Sequence, residues 1–340
     1  MKFDRAGLPI TNAKLAYASV EVCTMKRHDC KLQINFKGAL GDILCLSSAV
    51  HDLLSENPDA KISVNTPFVE VFRFYRLAGI CKESGQVTIT WDHYRQAVEQ
   101  AKESPQHVTE FFHDVLANLT GLPCSKRTLR PVIHSAANER VNPFAENKYW
   151  VVFAGGKSDI PLKLWYGPHF QQVADYLHSC GRLVVQTGRS KDRHYHLRQS
   201  IKIFDDNYKP SNIRRLFQII KYAEGVICPI TSGMHIAAAF DKPCIVIGGG
   251  REDPWWEAYN SDYGAFGGHY SGVPHKYLNT VGTDMPCCRL SGCWNRQFQN
   301  IETEGCDNFA KIVEFPGQIA HCMLAIDPAS VIAAIDSYIR

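Results

Sequence analysis

The stretch KLQINFKGALGDILCLSSAVH, residues 31–51, determines the fold that we expect for this chain. Residues 32–36 alternate apolar and polar side chains as a β-strand does, and apolar residues then recur at helical spacing over residues 43–54. Gly38 and Gly41 interrupt both patterns. The order predicts a strand, a glycine loop and a helix. In an α/β sheet, such a loop lies at the carboxyl end of a strand, where ligands bind.

Asp42 stands at the predicted start of this helix. Aspartate often caps a helix, since its carboxylate accepts a hydrogen bond from the first turn. The same position also faces the crevice at the end of the strand. A structural cap and a carboxylate that meets a ligand are therefore both open interpretations.

The composition is that of an ordinary packed protein of two domains. The chain has 340 residues and a formal charge of +3, which does not by itself predict nucleic-acid binding. It contains no apolar run of about eighteen residues, and its first residues lack a continuous apolar segment. We therefore expect a cytoplasmic protein without a transmembrane segment, whose cysteines are mostly reduced.

Strand and helix patterns alternate along the rest of the chain, which predicts an α/β fold with parallel sheets. Strands are predicted at residues 61–65, 86–91, 149–153, 183–187, 225–228 and 244–247. Helices are predicted at residues 69–77, 93–102, 108–119 and 236–240. Three more helices are predicted: one begins with Pro168, one follows a cap at Ser211, and one begins with Pro328.

The strand pattern restarts near residue 149, which predicts two Rossmann-like halves with a site in the cleft between them. The predicted units are an N-terminal extension at 1–30, an acceptor domain at 31–145, a nucleotide-binding domain at 146–326 and a C-terminal helix at 327–340.

Glycine loops follow four of the predicted strands, and helix N-termini after such loops suit phosphate groups. These loops contain Gly38 and Gly41, Gly155 and Gly156, Thr231 to Gly233, and Gly248 to Gly250. Lys157, Lys163, Arg189 and Arg251 lie near the later loops and predict an anionic ligand in the C-terminal half. The chain lacks G-x-x-x-x-G-K-[ST], which excludes a P-loop, and it lacks G-x-G-x-x-G, which disfavours a dehydrogenase.

Taken in order, these motifs resemble glycosyltransferase family 9, which contains the ADP-heptose heptosyltransferases of lipopolysaccharide assembly. The resembling motifs are KGALGD at 37–42, GG at 155–156 with KLW at 163–165, QTG at 186–188 and TSGMHIAAAFDKP at 231–243. The resemblance runs from about residue 31 to 260. It implies a GT-B fold, in which two Rossmann-like domains face each other across a cleft and the nucleotide sugar lies on the C-terminal one.

The resemblance also implies roles for single residues. Asp42 matches the proposed general base, Lys163 a lysine at the donor phosphates, and the loop from Thr231 to His235 a motif at the phosphates or the sugar. The aspartate that leads this motif in the family is Ile230 here, which leaves the identity of the sugar open. The full set of candidate donor-binding residues is Gly155, Gly156, Lys157, Lys163, Gly188, Thr231, Ser232, Gly233, His235, Gly249 and Arg251, and the candidate acceptor-binding residues are Gly38 and Gly41.

Two further sets of residues keep alternative interpretations. His235 either meets the donor or packs beside Met234 as a structural histidine. Trp255, Trp256 and Glu257 either wall the nucleotide site or belong to the core.

The expected reaction is transfer of a sugar, a heptose by the resemblance, from a nucleotide diphosphate sugar to an acceptor hydroxyl with inversion. Transfer needs a base for the hydroxyl proton and positive groups for the departing diphosphate, so that no metal is expected for the chemistry. ADP-heptose is the favoured donor, and the acceptor is a glycan, a protein or a modified base. Two alternatives stay open: the same fold glycosylating a protein or a modified DNA base with another sugar, and a catalytically silent nucleotide-binding scaffold. The oligomeric state is also left open by the sequence.

Five cysteines cluster in the segment 285–322, namely Cys287, Cys288, Cys293, Cys306 and Cys322. Cysteines at such spacings can form a tetrahedral thiolate site. Some autotransporter heptosyltransferases that resemble this chain carry a cysteine-bound iron near the C-terminus, which favours a structural Fe or Zn here. Because adjacent cysteines seldom both bind one ion, one of Cys287 and Cys288 is surplus, and we assign the site to Cys288, Cys293, Cys306 and Cys322. Buried thiols or a single disulfide are the alternative.

Overall fold

The structure is a computed structural model that describes residues 31–78, 85–157, 160–205, 210–259, 273–296 and 309–339. The predicted N-terminal extension and Cys306 lie outside these ranges. In chain order the strands are β1 (Lys31–Asn35), β2 (Lys61–Asn65), β3 (Gly85–Thr88), β4 (Tyr149–Val152), β5 (Gly155–Gly156), β6 (Leu183–Arg189), β7 (Arg193–His194), β8 (Ile201–Asp205), β9 (Gly225–Pro229), β10 (Cys244–Gly249), β11 (His275–Asn279), β12 (Phe309–Lys311) and β13 (Gln318–Ala320).

The helices surround these strands. They are α1 (Leu40–Glu56), α2 (Trp91–Ala101), α3 (Val108–Thr120), α4 (Gly167–Ser179), α5 (Pro210–Tyr222), α6 (Ser232–Ala239), α7 (Pro254–Glu257), α8 (Cys293–Arg296), α9 (His321–Leu324) and α10 (Pro328–Ile339), with 3₁₀ turns at Val69–Phe72, Ala137–Glu139 and Pro161–Lys163.

The smaller sheet is parallel and has the order β2-β1-β3. Its central strand, β1, ends just before the glycine loop, and α1 then begins at Leu40. Ile43, Leu46 and Val50 on α1 are fully buried, as their spacing predicts. The unit of strand, loop and helix predicted for residues 31–51 is therefore confirmed.

The larger sheet has the order β11-β10-β9-β4-β6-β8, and all of its neighbouring strands are parallel. The chain runs from β4 outward through β6 to β8 and then returns to β9 on the other side of β4. The strand order therefore reverses at β4. In open α/β sheets ligands bind at such a switch point, outside the carboxyl ends of the strands.

The two sheets share one continuous core. This core includes Ile34 of the smaller sheet and Val151, Val226 and Val246 of the larger sheet. α1 and α6 pack against each other across the two halves. The fold is thus the predicted α/β fold of GT-B type, with two Rossmann-like units that face each other. The exact domain boundaries near residues 145 and 326 stay a prediction.

Several predicted elements differ in their bounds. α5 begins at Pro210, so Ser211 lies inside the first turn and the prediction that it caps the helix is wrong. α6 begins at Ser232, because the loop predicted to precede it supplies its first turn with Thr231 as the cap. The helix predicted at 69–77 is a 3₁₀ turn at Val69–Phe72.

No helix in the described part of the chain is both long enough and apolar enough to cross a membrane.

Candidate active site

A cavity of about 840 Å³ lies between the loop after β1 and the loops after β4, β6 and β9. It therefore occupies the switch point of the larger sheet and the carboxyl end of the central strand of the smaller one. The predicted site residues that line it are Gly38, Gly41, Asp42, Gly155, Gly156, Lys157, Lys163, Gly188, Thr231, Ser232, His235 and Arg251.

Asp42 lies in the first turn of α1, partly exposed to the cavity. Its Oδ2 atom accepts a hydrogen bond from the Ala39 backbone N–H at 3.0 Å. Burial raises the pKa of this carboxyl, and the Ala39 N–H, Lys163 and Lys157 only partly reverse the shift, so that the pKa is about 6. Asp42 thus caps the helix and also lines the cavity, so the two interpretations of its role are compatible.

The glycine loop before Asp42 leaves no room for a side chain at Gly38. A Cβ atom there would lie 2.5 Å from the Phe36 ring and 2.9 Å from the Asp42 Cβ. Phe36 is itself buried against Phe112. The backbone of the loop therefore rests on the core, and this contact fixes the position from which α1 presents Asp42.

Lys163 lines the cavity from the C-terminal half. Its Nζ atom lies 2.8 Å from the Glu252 Oε1 atom, and Arg251 bonds to the same carboxylate oxygen. The side chain of Glu252 is only 2 % exposed, which makes these charge-assisted contacts strong. Two cations are thus held in place at the end of the cavity where β10 ends.

His235 connects the two halves. Its ring lies under Gly41, where a Cβ atom would be 3.1 Å from His235 Cδ2. The Tyr259 hydroxyl bonds to His235 Nδ1 at 2.7 Å. Burial, with smaller contributions from His107 and Lys163, lowers the pKa of His235 to about 3. The imidazole is therefore neutral at physiological pH, and it is both a packed side chain and part of the cavity wall.

Glu257 closes the same region from the end of α7. Its Oε2 atom lies 3.7 Å from His235 Nε2, too far for a hydrogen bond. Burial raises the pKa of this carboxyl above its usual range, and the nearby Glu252 carboxylate raises it further.

One end of the cavity is apolar. Ile203 and Phe204 from β8 and Ile213, Leu216 and Ile219 from α5 line it. Arg189, whose Nε donates to Asp192 Oδ2 at 2.8 Å, stands at its edge. An apolar surface with a charged pair beside it suits a nucleobase and its ribose.

Two predicted site residues do not line the cavity. Gly233 lies beneath Phe153, and Gly249 faces away, against Met323 and Cys322. Of the two interpretations of Trp256, the structure supports the core, because this side chain is fully buried and its ring packs against Tyr94 and Trp294.

Sequence reasoning missed several residues that line the cavity, namely Trp91, Asp192, Glu252 and Trp294. For Glu252 the available signal was the run from Arg251 to Glu257, in which charged residues flank two tryptophans shortly after a buried strand. Charges placed among apolar residues at a strand end are either paired or functional.

The cysteine segment packs against the back of β10. The Cys288 Sγ atom lies where a Cβ of Gly250 would stand, and Cys322 Sγ is 3.6 Å from the same position at Gly249. Among the residues that the structure describes, no group of three or more His, Cys, Asp or Glu side chains is arranged to hold a metal ion. Because Cys306 is outside those residues, the four-cysteine site stays a prediction.

Comparison with known proteins agrees with this geometry. Residues 74–280 match the family model described as glycosyltransferase family 9 (heptosyltransferase). No curated protein sequence matches the chain.

Several solved structures, most of them glycosyltransferases, have a similar fold. The glycosyltransferase family 9 structure from Veillonella parvula DSM 2008 aligns over 93% of this chain and 98% of its own, with a TM-score of 0.58 and 14% identity. The iron-containing dodecameric glycosyltransferase TibC from enterotoxigenic E. coli H10407 aligns over 92% of this chain and 77% of its own, with a TM-score of 0.62 and 16% identity. The E. coli ADP-heptose lipopolysaccharide heptosyltransferase II aligns over 91% of this chain and 98% of its own, with a TM-score of 0.52 and 13% identity.

Proposed function

Because the chain belongs to glycosyltransferase family 9, we propose that it transfers a heptose from ADP-heptose to an acceptor hydroxyl with inversion. The observation that carries this proposal is that Asp42 from the N-terminal half and Lys163 from the C-terminal half line one cavity. The names of TibC, which was solved with ADP-heptose, and of heptosyltransferase II support the choice of donor.

Asp42 is the proposed general base. It projects from the N-terminal half, which we assign to the acceptor. A pKa of about 6 leaves the carboxylate mostly ionised at neutral pH while keeping it basic enough to accept a proton from a hydroxyl as the new bond forms. The Ala39 N–H fixes its direction.

The C-terminal half supplies the proposed stabilisation of the departing diphosphate. Lys163, Lys157 and Arg251 line the cavity, and the N-terminus of α6 contributes backbone N–H groups beside Ser232. These groups are preorganised where negative charge develops in the transition state, and the Glu252 carboxylate holds Lys163 in position. With the base on one side and the cations on the other, the acceptor attacks opposite to the leaving group, which inverts the sugar carbon.

Calorimetric titration of the purified chain tests the donor. We expect selective binding of ADP over UDP and GDP, and of ADP-heptose over ADP-glucose. Selective binding of another nucleotide or sugar would overturn the choice of ADP-heptose. Absence of binding to all of them would overturn the donor site and favour a silent scaffold.

Substitution of Asp42 tests the mechanism. Asp42→Asn should keep donor binding and reduce transfer by about 10²–10⁴-fold, measured as ADP release with glycan, protein and modified-DNA acceptors. Asp175→Asn, on the exposed face of α4, is the matched control. Full transferase activity in Asp42→Asn would show that the proposed base is wrong.

The cysteine segment supports a separate proposal of a structural Fe or Zn that includes Cys306. The described cysteines alone do not form the site. Elemental analysis of the whole chain should find about one Fe or Zn atom per chain, and Cys306→Ser should lose it. A metal-free native protein would overturn this proposal without affecting the transferase.

A further inference from the structure

Glu257 is a buried carboxyl group that the proposed mechanism does not use. Its residue surface is 9 % exposed, and its side chain lines the cavity at the end of α7. Within the described parts of the chain, the side chain makes no hydrogen bond, since the His235 ring nitrogen is 3.7 Å away. The side chain keeps 12 % of its surface exposed and lines the cavity, so a ligand that enters the cavity can supply a hydrogen-bond partner to the carboxyl group.

The surroundings of Glu257 select the kind of ligand. Burial and the nearby Glu252 and Asp42 carboxylates raise the pKa of Glu257 to about 8, although Lys163 and Arg251 act in the opposite direction. The neutral acid is therefore favoured at neutral pH, and it has one O–H donor and a carbonyl acceptor. An ionised phosphate group accepts hydrogen bonds but donates none, so it would pair only with the O–H of this side chain and leave its carbonyl oxygen without a donor. A hydroxyl group both donates and accepts, so that it satisfies both atoms of a carboxylic acid.

The position of Glu257 indicates that the hydroxyl group it contacts belongs to the sugar of the donor. The sugar of a bound donor must lie between the cations at its diphosphate and the base at its acceptor. Glu257 is near both groups: its carboxyl group is next to His235, whose ring lies against Gly41, the neighbour of Asp42, and the charges of Asp42, Lys163 and Arg251 all act on its pKa. Ile230, at the end of β9, lines the same cavity with an apolar side chain that offers no hydrogen bond.

We propose that Glu257 is a specificity-determining residue that hydrogen-bonds hydroxyl groups of the transferred sugar. The inference rests on the proposed function, since it assumes that a nucleotide sugar occupies the cavity. It assigns to Glu257 recognition of the sugar alone and no part in binding the nucleotide.

Two substitutions at Glu257 separate recognition of the sugar from binding of the nucleotide. Glu257→Leu removes both hydrogen-bonding atoms, whereas Glu257→Gln keeps a donor and an acceptor in the same shape. Calorimetry with ADP-heptose should show about tenfold weaker binding for Glu257→Leu and substantial recovery for Glu257→Gln. Affinity for ADP should stay within about twofold of the wild type in both variants, which also shows that they fold.

The preference for ADP-heptose over ADP-glucose should narrow in Glu257→Leu. Equal loss of ADP and ADP-heptose affinity would overturn the proposal, since Glu257 would then support the whole site. Unchanged ADP-heptose affinity in Glu257→Leu would also overturn it. Failure of the wild-type chain to bind either compound would instead overturn the proposed function.

Discussion

Asp42 experiences two opposing influences, and their balance decides what the residue can do. Burial in the cleft raises the pKa of the carboxyl group, while the Ala39 N–H and the two lysines across the cavity lower it. If the lowering effects dominated, the carboxylate would be too weak a base to assist a hydroxyl. If burial alone acted, it would be protonated at neutral pH. The resulting pKa of about 6 avoids both extremes.

The pH dependence of transfer follows from this value. Because the base must be ionised, kcat/KM should fall about tenfold per pH unit below about pH 6 and level off above it. Initial rates between pH 4.5 and 8 measure the profile, with far-UV circular dichroism at each pH to confirm folding. A flat profile down to pH 4.5 would contradict the assignment of Asp42.

Asp52 shows the opposite balance, in a structural role. Burial would raise the pKa of its carboxyl group, but hydrogen bonds from His113 Nε2 at 3.0 Å, the Thr128 N–H at 2.6 Å and the Thr128 hydroxyl at 2.9 Å lower it to about 2. A carboxyl group whose pKa is depressed in the folded state stabilises that state above its unfolded pKa. The stabilisation is lost as the pH falls through the folded value.

We therefore expect Asp52→Asn to cost about 2 kcal/mol of stability at pH 7, with much of the difference from the wild type disappearing between about pH 4 and pH 2. Thermal melts of the two proteins across this range provide the measurement. A difference that stays constant with pH would show that the lowered pKa is not the source of the stability.

At the scale of elements, the glycine loops differ in how strictly they require glycine. A Cβ atom at Gly155 would lie 2.0 Å from the Arg193 carbonyl oxygen, because β5 pairs with β7 at that point. At the adjacent Gly156 the closest atom, Leu164 Cδ2, is an ordinary 3.6 Å away. The first position is closed by backbone, and the second is open.

Gly155→Ala should therefore destabilise the protein by about 1–3 kcal/mol, and Gly156→Ala should be close to neutral in stability. The two substitutions add the same methyl group to neighbouring residues, so each is the control for the other in a thermal melt. Equal melting temperatures would mean that β7 can move away from β5 at little cost.

The sequence predicted the elements well where periodicity carries the information, as for α1 and for β4, β6, β9 and β10 of the larger sheet, whereas β8 and β11 were not predicted. It failed at boundaries set by tertiary contacts. Ser211 is typical of a helix cap, yet α5 begins one residue earlier at Pro210, which is well suited to a first turn. Gly249 looked like part of a phosphate loop, but its backbone approaches Met323, a residue distant in sequence. Glu252 could not be assigned either, because its pairing with Lys163 depends on how two loops meet.

At the scale of the whole molecule, the two halves are joined by more than apolar contacts. Arg214 on α5, with a side chain only 5 % exposed, forms an ion pair with Glu139 and donates to the His134 carbonyl at 2.7 Å. It also donates to the Glu70 carbonyl at 3.2 Å. A second ion pair, Arg130 with Asp241, crosses at a site where both side chains are about half exposed.

Removal of each arginine should have very different effects. Arg214→Met leaves Glu139 and two carbonyl groups without their donor, which should cost about 3 kcal/mol and weaken the association of the halves. Arg130→Met should change stability by less than about 1 kcal/mol, since water screens the exposed pair. Thermal melts measure the change in stability of each variant, and limited proteolysis of the segments between the two sheets measures the association of the halves. Equal effects would show that burial does not set the strength of these contacts.

The field that Lys163 and Lys157 exert on Asp42 links donor binding to proton uptake. Once a diphosphate neutralises the two lysines, the pKa of Asp42 should rise from about 6. Near pH 6, ADP binding should therefore take up a fraction of a proton, detected by calorimetry in buffers of different ionisation enthalpy, and Asp42→Asn should remove that fraction. Unaltered uptake in Asp42→Asn would exclude the linkage. Binding of the donor would then make Asp42 a stronger base before the acceptor hydroxyl reacts.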